Sequence, residues 1–329
     1  MRPHPFQFLL KINLSLRPLF IFFLNSILWI QCRPSESVEF LQYRTNTKFE
    51  LTNLHWFNDT VGVAVGGNTW YNSVAIHTPD KGLTWTTEEL FGRGIFSLDS
   101  DKEGNLYGCG LDKKVILIGR DSSTTFKLGD YIFFRAIDAF NTRNILIAGG
   151  EGLAKGFVYQ TNLETLELKP VMTLARELSL VHCIDSLQWL VAGFGIVMKS
   201  RDGSKTWDTL DVAGDHWIDK CFLDDQVGYL CGSNGSIIKT RDGGEHWSIV
   251  RDASKITVSD QPFRCIQFIS EQIGIIAGEN GLIWKTTDGG DHWTELTDLP
   301  MENYLDVKWH NHQVWLCGSN GIVISFSID

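Results

Sequence analysis

The seven cysteines of this chain include no Cys-x-x-Cys pair, so a zinc or dithiol redox centre has little footing. Base is scarce. Lys and Arg number 29 against 39 Asp and Glu, and the formal net charge is −10. That disfavours general nucleic-acid binding, which needs a basic footprint. Outside the N-terminal leader, no segment shows convincing helical periodicity. Glycine-rich stretches such as Gly149-Gly-Glu-Gly152 lack the strand–loop–helix context of a phosphate cradle. No cofactor and no metal is therefore expected.

What the chain does have is a repeat. Thr78-Pro-Asp80-Lys-Gly82-Leu-Thr84-Trp85 returns as Ser200-Arg-Asp202-Gly-Ser204-Lys-Thr206-Trp207. It returns again as Thr240-Arg-Asp242-Gly-Gly244-Glu-His246-Trp247 and as Thr286-Thr-Asp288-Gly-Gly290-Asp-His292-Trp293. The pattern is an Asp-box, Ser/Thr-x-Asp-x-Gly-x-Thr/His-Trp. A fixed period of this size means stacked supersecondary units. Asp80 and Asp202 stand 122 residues apart, or three periods of about 41. Two degenerate copies fit between them. One is Gly119-Arg-Asp121-Ser-Ser123-Thr-Thr125-Phe126 and the other centres on Thr161. The spacing of 46 from Asp242 to Asp288 implies an insertion at 251–261. Counting on to the end gives seven units over Leu51 to Asp329, with no room for a second domain.

Each unit has one grammar. A β-rich segment leads, and a second ends in a small residue plus glycine, as in Ile275-Ile-Ala-Gly278 and Trp315-Leu-Cys-Gly318. A turn such as Ser233-Asn-Gly235 follows, a strong hairpin signal because both central residues tolerate positive φ. A third strand runs into the Asp-box and its Trp opens a fourth. Four antiparallel strands repeated radially make a β-propeller blade. The fold predicted is all-β, a seven-bladed propeller over 38–329. The seventh unit runs out after three strands. Val38 to Arg44 reads as an unpaired strand that would supply the fourth and remove an exposed edge. In the Asp-box itself, Asp accepts turn N–H groups, Gly supplies positive φ, and Trp buries apolar surface. Asp80, Trp85, Asp121, Asp202, Trp207, Asp242, Trp247, Asp288 and Trp293 are accordingly read as structural.

The N-terminus differs. Arg2, Lys11 and Arg17 precede the twelve-residue apolar run Leu19 to Ile30, short for a spanning helix and suited to a signal-peptide core. Cleavage after residue 31 removes three bases and no acid, taking the charge from −10 to −13. Cys32 follows the run directly, as at a bacterial lipoprotein signal, although Trp29, Ile30 and Gln31 depart from the usual residues. Lipidation of Cys32, plain secretion and an uncleaved anchor all stay open. The reading is 1–31 as signal, 32–37 as linker, and an exported protein of the periplasm or cell envelope.

Cys109, Cys231 and Cys317 occupy the repeat position that holds Ala148, Ala192 and Ala277 elsewhere, so they read as small buried residues. Eight histidines beyond the leader are scattered, with His246 and His292 inside Asp-boxes. Asp-boxes occur in sialidases and other glycosidases, and Asp99, Asp138, Asp185 and Asp306 on inner strands could supply paired acids. The Arg-Ile-Pro signature of sialidases is missing, so a carbohydrate-active propeller is the alternative rather than the main reading. A structural surface protein with no specific ligand is a third reading.

One constellation points to binding. Arg93, Arg135 and Arg264 precede the first strands of units two, three and six, and Arg176 lies a little further upstream of unit four. Such positions share one face of a propeller and surround its channel. A ring of guanidiniums there suits an acidic peptide or chain terminus. The bland counterpart is that each arginine pairs with an acid of a neighbouring blade.

The unit Ile273-Gly-Ile-Ile-Ala-Gly-Glu-Asn-Gly-Leu-Ile-Trp-Lys-Thr-Thr-Asp-Gly-Gly-Asp-His-Trp293 resembles the repeat of the photosystem II assembly/stability factors of cyanobacteria and plastids. The resemblance extends over 38–329. It implies a seven-bladed, non-enzymatic, exported or lumenal propeller with an arginine patch on one face, assisting assembly of a membrane complex. Arg93, Arg135 and Arg264 are the positions onto which the patch would carry. The function expected is therefore a monomeric scaffold for an acidic protein or peptide, with a membrane-complex subunit as the sharper version.

Overall fold

The computed structural model describes residues 34–329 apart from Asp130, Ala213, 256–260 and Asp329. The leader and Cys32 lie outside the described residues. Seven antiparallel sheets follow one another along the chain, each pairing its strands in sequence order. Blade 1 covers 50–90, blade 2 95–127, blade 3 134–174 and blade 4 178–209. Blade 5 covers 217–251, blade 6 263–297 and blade 7 304–326. The strand Phe40–Gln42 pairs antiparallel with Val323–Phe326 and completes blade 7, as the unpaired N-terminal segment predicts. The stretch expected as linker differs. Ser35–Ser37 lies parallel to Glu295–Thr297 as a fifth strand of blade 6, held further by Lys285 Nζ on Glu36 at 3.0 Å. An edge strand left open invites pairing, and this edge is covered.

The core sits between blades. The second strands, such as Gly228–Gly232 and Gly274–Gly278, are buried at every position. Tyr229 of blade 5 stacks on Phe268 of blade 6 with centroids 3.6 Å apart. Fully burying one such side chain contributes roughly 1.5–3 kcal/mol.

The small-plus-glycine grammar has a steric cause. In every blade the first strand carries a β-bulge near its start, as between Phe263 and Cys265. The bulge drops the preceding carbonyl onto the second strand. A Cβ on Gly278 would stand 2.0 Å from the Pro262 carbonyl oxygen, and one on Gly318 1.9 Å from that of Asn303. The small residue beside that glycine meets the next blade: the Cys317 thiol donates to the Leu51 carbonyl and the Cys109 thiol to that of Phe134.

The bulges and the tips between second and third strands share one face with the loops that join blades. The Asp-box turns lie on the other face. Each fourth strand therefore runs from an Asp-box turn toward the bulge face.

Candidate functional site

Because all seven bulges fall at one level, the extra residue of each turns into the channel. These residues are Thr52, Phe96, Arg135, Ser179, Ile218, Arg264 and Leu305. All seven line a cavity of about 670 Å³. Only two of the four expected arginines are in this ring. Arg135 and Arg264 hold bulge positions, whereas Arg93 and Arg176 stand upstream, where Phe96 and Ser179 take the place. Ile95 pairs with Gly110 as Phe134 pairs with Gly149 and Phe263 with Gly278, so Phe96 rather than Arg93 matches Arg135 and Arg264.

Nor is the ring bare cation. Arg135 Nε donates to Glu177 Oε1 at 2.9 Å, and its guanidinium lies over Phe133 at 4.6 Å and Phe96 at 5.2 Å. Arg264 grips Glu279 through Nε and Nη2. Arg93 Nε is 3.7 Å from Asp112, with its guanidinium 5.7 Å from the Tyr131 ring. Arg176 Nη1 donates to the Gly195 carbonyl at 2.8 Å. The pairing reading thus holds in part, although only Arg135 reaches an acid beside a neighbouring blade. The Nη atoms of Arg135 and Arg93 make no hydrogen bond among the described residues, and both side chains are about a third exposed. The guanidinium fork, the part that grips a carboxylate bidentately, is left available.

Below the mouth lies a charge cluster that the sequence reading missed. Lys220 of blade 5 reaches across the channel to Asp99 of blade 2 at 2.5 Å and Asp138 of blade 3 at 2.8 Å. His182 Nδ1 is 3.2 Å from the same Asp138 oxygen. Burial opposes charge on Asp138, yet Lys220 and His182 overcome it and hold its carboxyl well below the usual range. Burial and the Asp138 charge push Asp99 up, so of the two Asp99 takes up a proton first. Burial, reinforced by Lys220, lowers His182. A second group comprises Asp306, its partner Lys308 at 2.9 Å, and Asp219. Burial pushes Asp219 up to about 7 despite Lys308.

These carboxylates also clamp blades together. Asp138 accepts the Cys183 N–H at 2.9 Å, Asp219 that of Ile266 at 2.8 Å, and Asp306 that of Leu54 at 2.7 Å. The structure brings Asp99, Asp138 and Asp306 into the channel, as the glycosidase alternative requires. Asp185 instead caps the turn to Gln188. Asp138 is already engaged by Lys220, His182 and the N–H groups of Cys183 and Ala139. The available signal was an acid or Lys-bearing dipeptide inside an otherwise apolar inner strand, as in Asp219-Lys220. Among the described residues no cluster of metal-ligating side chains occurs.

The repeat motif closes a hydrogen-bonded turn on the far face. In blade 5, Gly244 N–H donates to Thr240 Oγ1 at 2.8 Å and His246 N–H to Asp242 Oδ1 at 2.9 Å, with His246 Nδ1 2.7 Å from the other oxygen. Asp80, Asp202 and Asp288 repeat the scheme with Thr84, Thr206 and His292. Thr206 holds Asp202 down at about 2 through its N–H and hydroxyl. Trp85, Trp207, Trp247 and Trp293 each pack into a cluster shared with the preceding blade. Asp121 is a correction. Gly119 N–H donates to the Ser122 carbonyl at 2.9 Å, and this tight turn leaves no span for the eight-residue motif. None of the motif's hydrogen bonds forms at Asp121 among the described residues.

Residues 200–301 match the family model described as Photosynthesis system II assembly factor YCF48. The chain resembles the photosystem II assembly factors. A solved structure of YCF48 bound to D1 peptide shares 17% identity, covering 90% of this chain and 98% of that one, with a TM-score of 0.66. YCF48 from Cyanidioschyzon merolae shares 13%, covering 88% and 98%, with a TM-score of 0.63. The WD40 propeller domain of Doa1 shares 12%, covering 89% and 98%, with a TM-score of 0.65. At these identities the structures speak for the fold, which the WD40 propeller shares as well as the two YCF48 structures do. No curated protein sequence matches the chain. The family match spans blades 5 and 6, where the assembly-factor repeat is most regular.

Proposed function

We propose that this propeller is a non-enzymatic scaffold that binds an acidic peptide segment of a protein partner at the bulge-face mouth, in the manner of an assembly factor. The observation that carries the reading is Arg135, whose fork is unengaged at the rim of a cavity large enough for several side chains. Two further findings support it: the match to YCF48 over 200–301, and the existence of a YCF48 structure bound to D1 peptide. The basic leader, its apolar run and Cys32 support export and attachment to a membrane surface. A monomer fits a ring already closed by its own N-terminus.

Affinity capture from solubilised native membranes tests this, comparing wild type with Arg135→Glu/Arg264→Glu and reading by mass spectrometry. A membrane protein retained by wild type and lost from the folded variant is expected. Identical captures would overturn the reading and return weight to a carbohydrate ligand, for which turnover of chromogenic glycosides is the direct check.

A further inference from the structure

Blades 5 to 7 close the hairpins between their second and third strands with Asn-Gly tips that hydrogen-bond to the next connection. Gly281 N–H of blade 6, for example, donates to the Glu302 carbonyl at 2.7 Å. Blade 1 does otherwise. Its tip runs Asn68-Thr-Trp70-Tyr71-Asn72, closed by its own bonds from Asn68 N–H to the Asn72 carbonyl and from Trp70 N–H to Asn68 Oδ1. The tip leans on the connection to blade 2, where Gly94 N–H donates to the Asn68 carbonyl. Trp70 and Tyr71 are left 50% and 78% exposed. Exposed aromatic rings at a loop tip carry an unfavourable hydration with no return inside the blade.

Trp70 does not stand alone. Trp70 meets Phe133 edge-on at 5.8 Å, and Phe133 stacks on Phe96 at 5.9 Å. Tyr131, 59% exposed, meets Phe133 from the other side at 6.5 Å. Arg135 lies across Phe133 and Phe96, and Arg93 lies over Tyr131. An aromatic shelf therefore runs from the rim of blade 1 over the connection between blades 2 and 3 into the mouth. It ends on the one ring arginine that is stacked on aromatic faces with an open fork. Aromatic rings flanking an arginine are the composition of interface anchor sites.

We propose that this shelf is the specificity-determining half of the peptide site. It takes an aromatic or aliphatic side chain that stands about three residues from the carboxylate held by Arg135. The spacing follows from the run Trp70–Phe133–Arg135, about 10 Å, or roughly three residues of extended chain. The charge of the occupant follows from the open guanidinium fork, and its apolar side chain from the exposed rings. This inference rests on the peptide reading above and adds what the peptide must contain.

The probes are fluorescein-labelled hexapeptides with a free C-terminal carboxylate, carrying Phe or Ala three residues before the end, plus the C-terminally amidated Phe peptide. Binding is read by fluorescence anisotropy to the full-length protein. Wild type is expected to prefer the Phe peptide over the Ala peptide by about tenfold. Trp70→Ala/Tyr131→Ala should erase that preference, bringing the Phe peptide to the affinity of the Ala peptide. Arg135→Ala should weaken both free-acid peptides more than the amide. Equal affinity of wild type for Phe and Ala peptides, or a preference that survives the aromatic variant, overturns the shelf and spares the peptide reading. Failure of every peptide to bind overturns both. Sedimentation of the same proteins covers the other occupant: a wild-type dimer lost in the aromatic variant would assign the shelf to a second copy of this chain. Both aromatic targets are exposed, so an unchanged melting temperature is expected to accompany the effect.

Discussion

Blades 5 and 6 carry complete Asp-box turns and Asn-Gly tips, and the carboxylates of Asp242 and Asp288 are used within their own turns. Blades 2 and 3 keep neither feature, and the mouth beside them holds Phe96, Phe133, Arg93 and Arg135. The contrast shows where regularity and binding potential lie in a repeat fold. A residue that recurs in each unit meets the same neighbours each time, so it answers to packing. Asp242 and Asp288 bind their own turns, and Gly278 and Gly318 make room for a carbonyl. A unit that has lost those residues must fill the same space in another way, and its replacements can face outward.

The sharpest way to break the contrast is to remove what ties the two regions together. Lys220 of blade 5 neutralises carboxylates of blades 2 and 3. Lys220→Met should cost about 3–5 kcal/mol, because it strands buried acids without a partner. Denaturant unfolding measures this, and a loss below about 1 kcal/mol would make the strut incidental. A step smaller is Asp219. Burial raises its folded value to about 7, so the folded state binds a proton that the unfolded state releases between about pH 4 and 7. That contribution is fully present near pH 4 and is lost as pH rises to 7. Asp219→Asn should erase it, so the stability difference between wild type and variant should move by about 2 kcal/mol between pH 5 and 7. Histidines that titrate in that window contribute to both proteins and cancel. A difference that stays flat with pH would refute the assignment.

Smaller again is the turn itself. Asp242→Ala removes the acceptor for the His246 N–H and should cost about 1–2 kcal/mol. Asp121→Ala, at the place where blade 2 has a tight turn instead, should cost under about 0.5 kcal/mol. Equal costs in thermal unfolding would erase the distinction between a formed motif and its remnant.

Most of the architecture was legible because the period, the Asn-Gly tips and the small-plus-glycine endings are each enforced by local geometry. The closing strand was legible as a segment without a partner. The inner ring was not. A β-bulge shifts the side-chain alternation by one residue, and no residue type at 96, 135 or 264 announces it. Arg93 therefore looked equivalent to Arg135 although Phe96 holds the bulge. The cross-channel cluster escaped for another reason. Asp99, Asp138 and Lys220 are up to 121 residues apart, and only closure of the ring brings them together. Trp70 stood in plain sight as an aromatic in a loop, but its meaning depends on Phe133 two blades along.

The fifth strand of blade 6 fixes where the chain enters the propeller. Ser35–Ser37 runs parallel to Glu295–Thr297, and Pro34 accepts the Glu295 N–H, two residues past Trp293 of the Asp-box turn. The backbone thus arrives at the Asp-box face, while the mouth with Arg135 opens on the opposite one. Any tether placed ahead of Pro34, whether a lipid, an affinity tag or a chip surface, would load the molecule from below and leave the rim above it facing open solution.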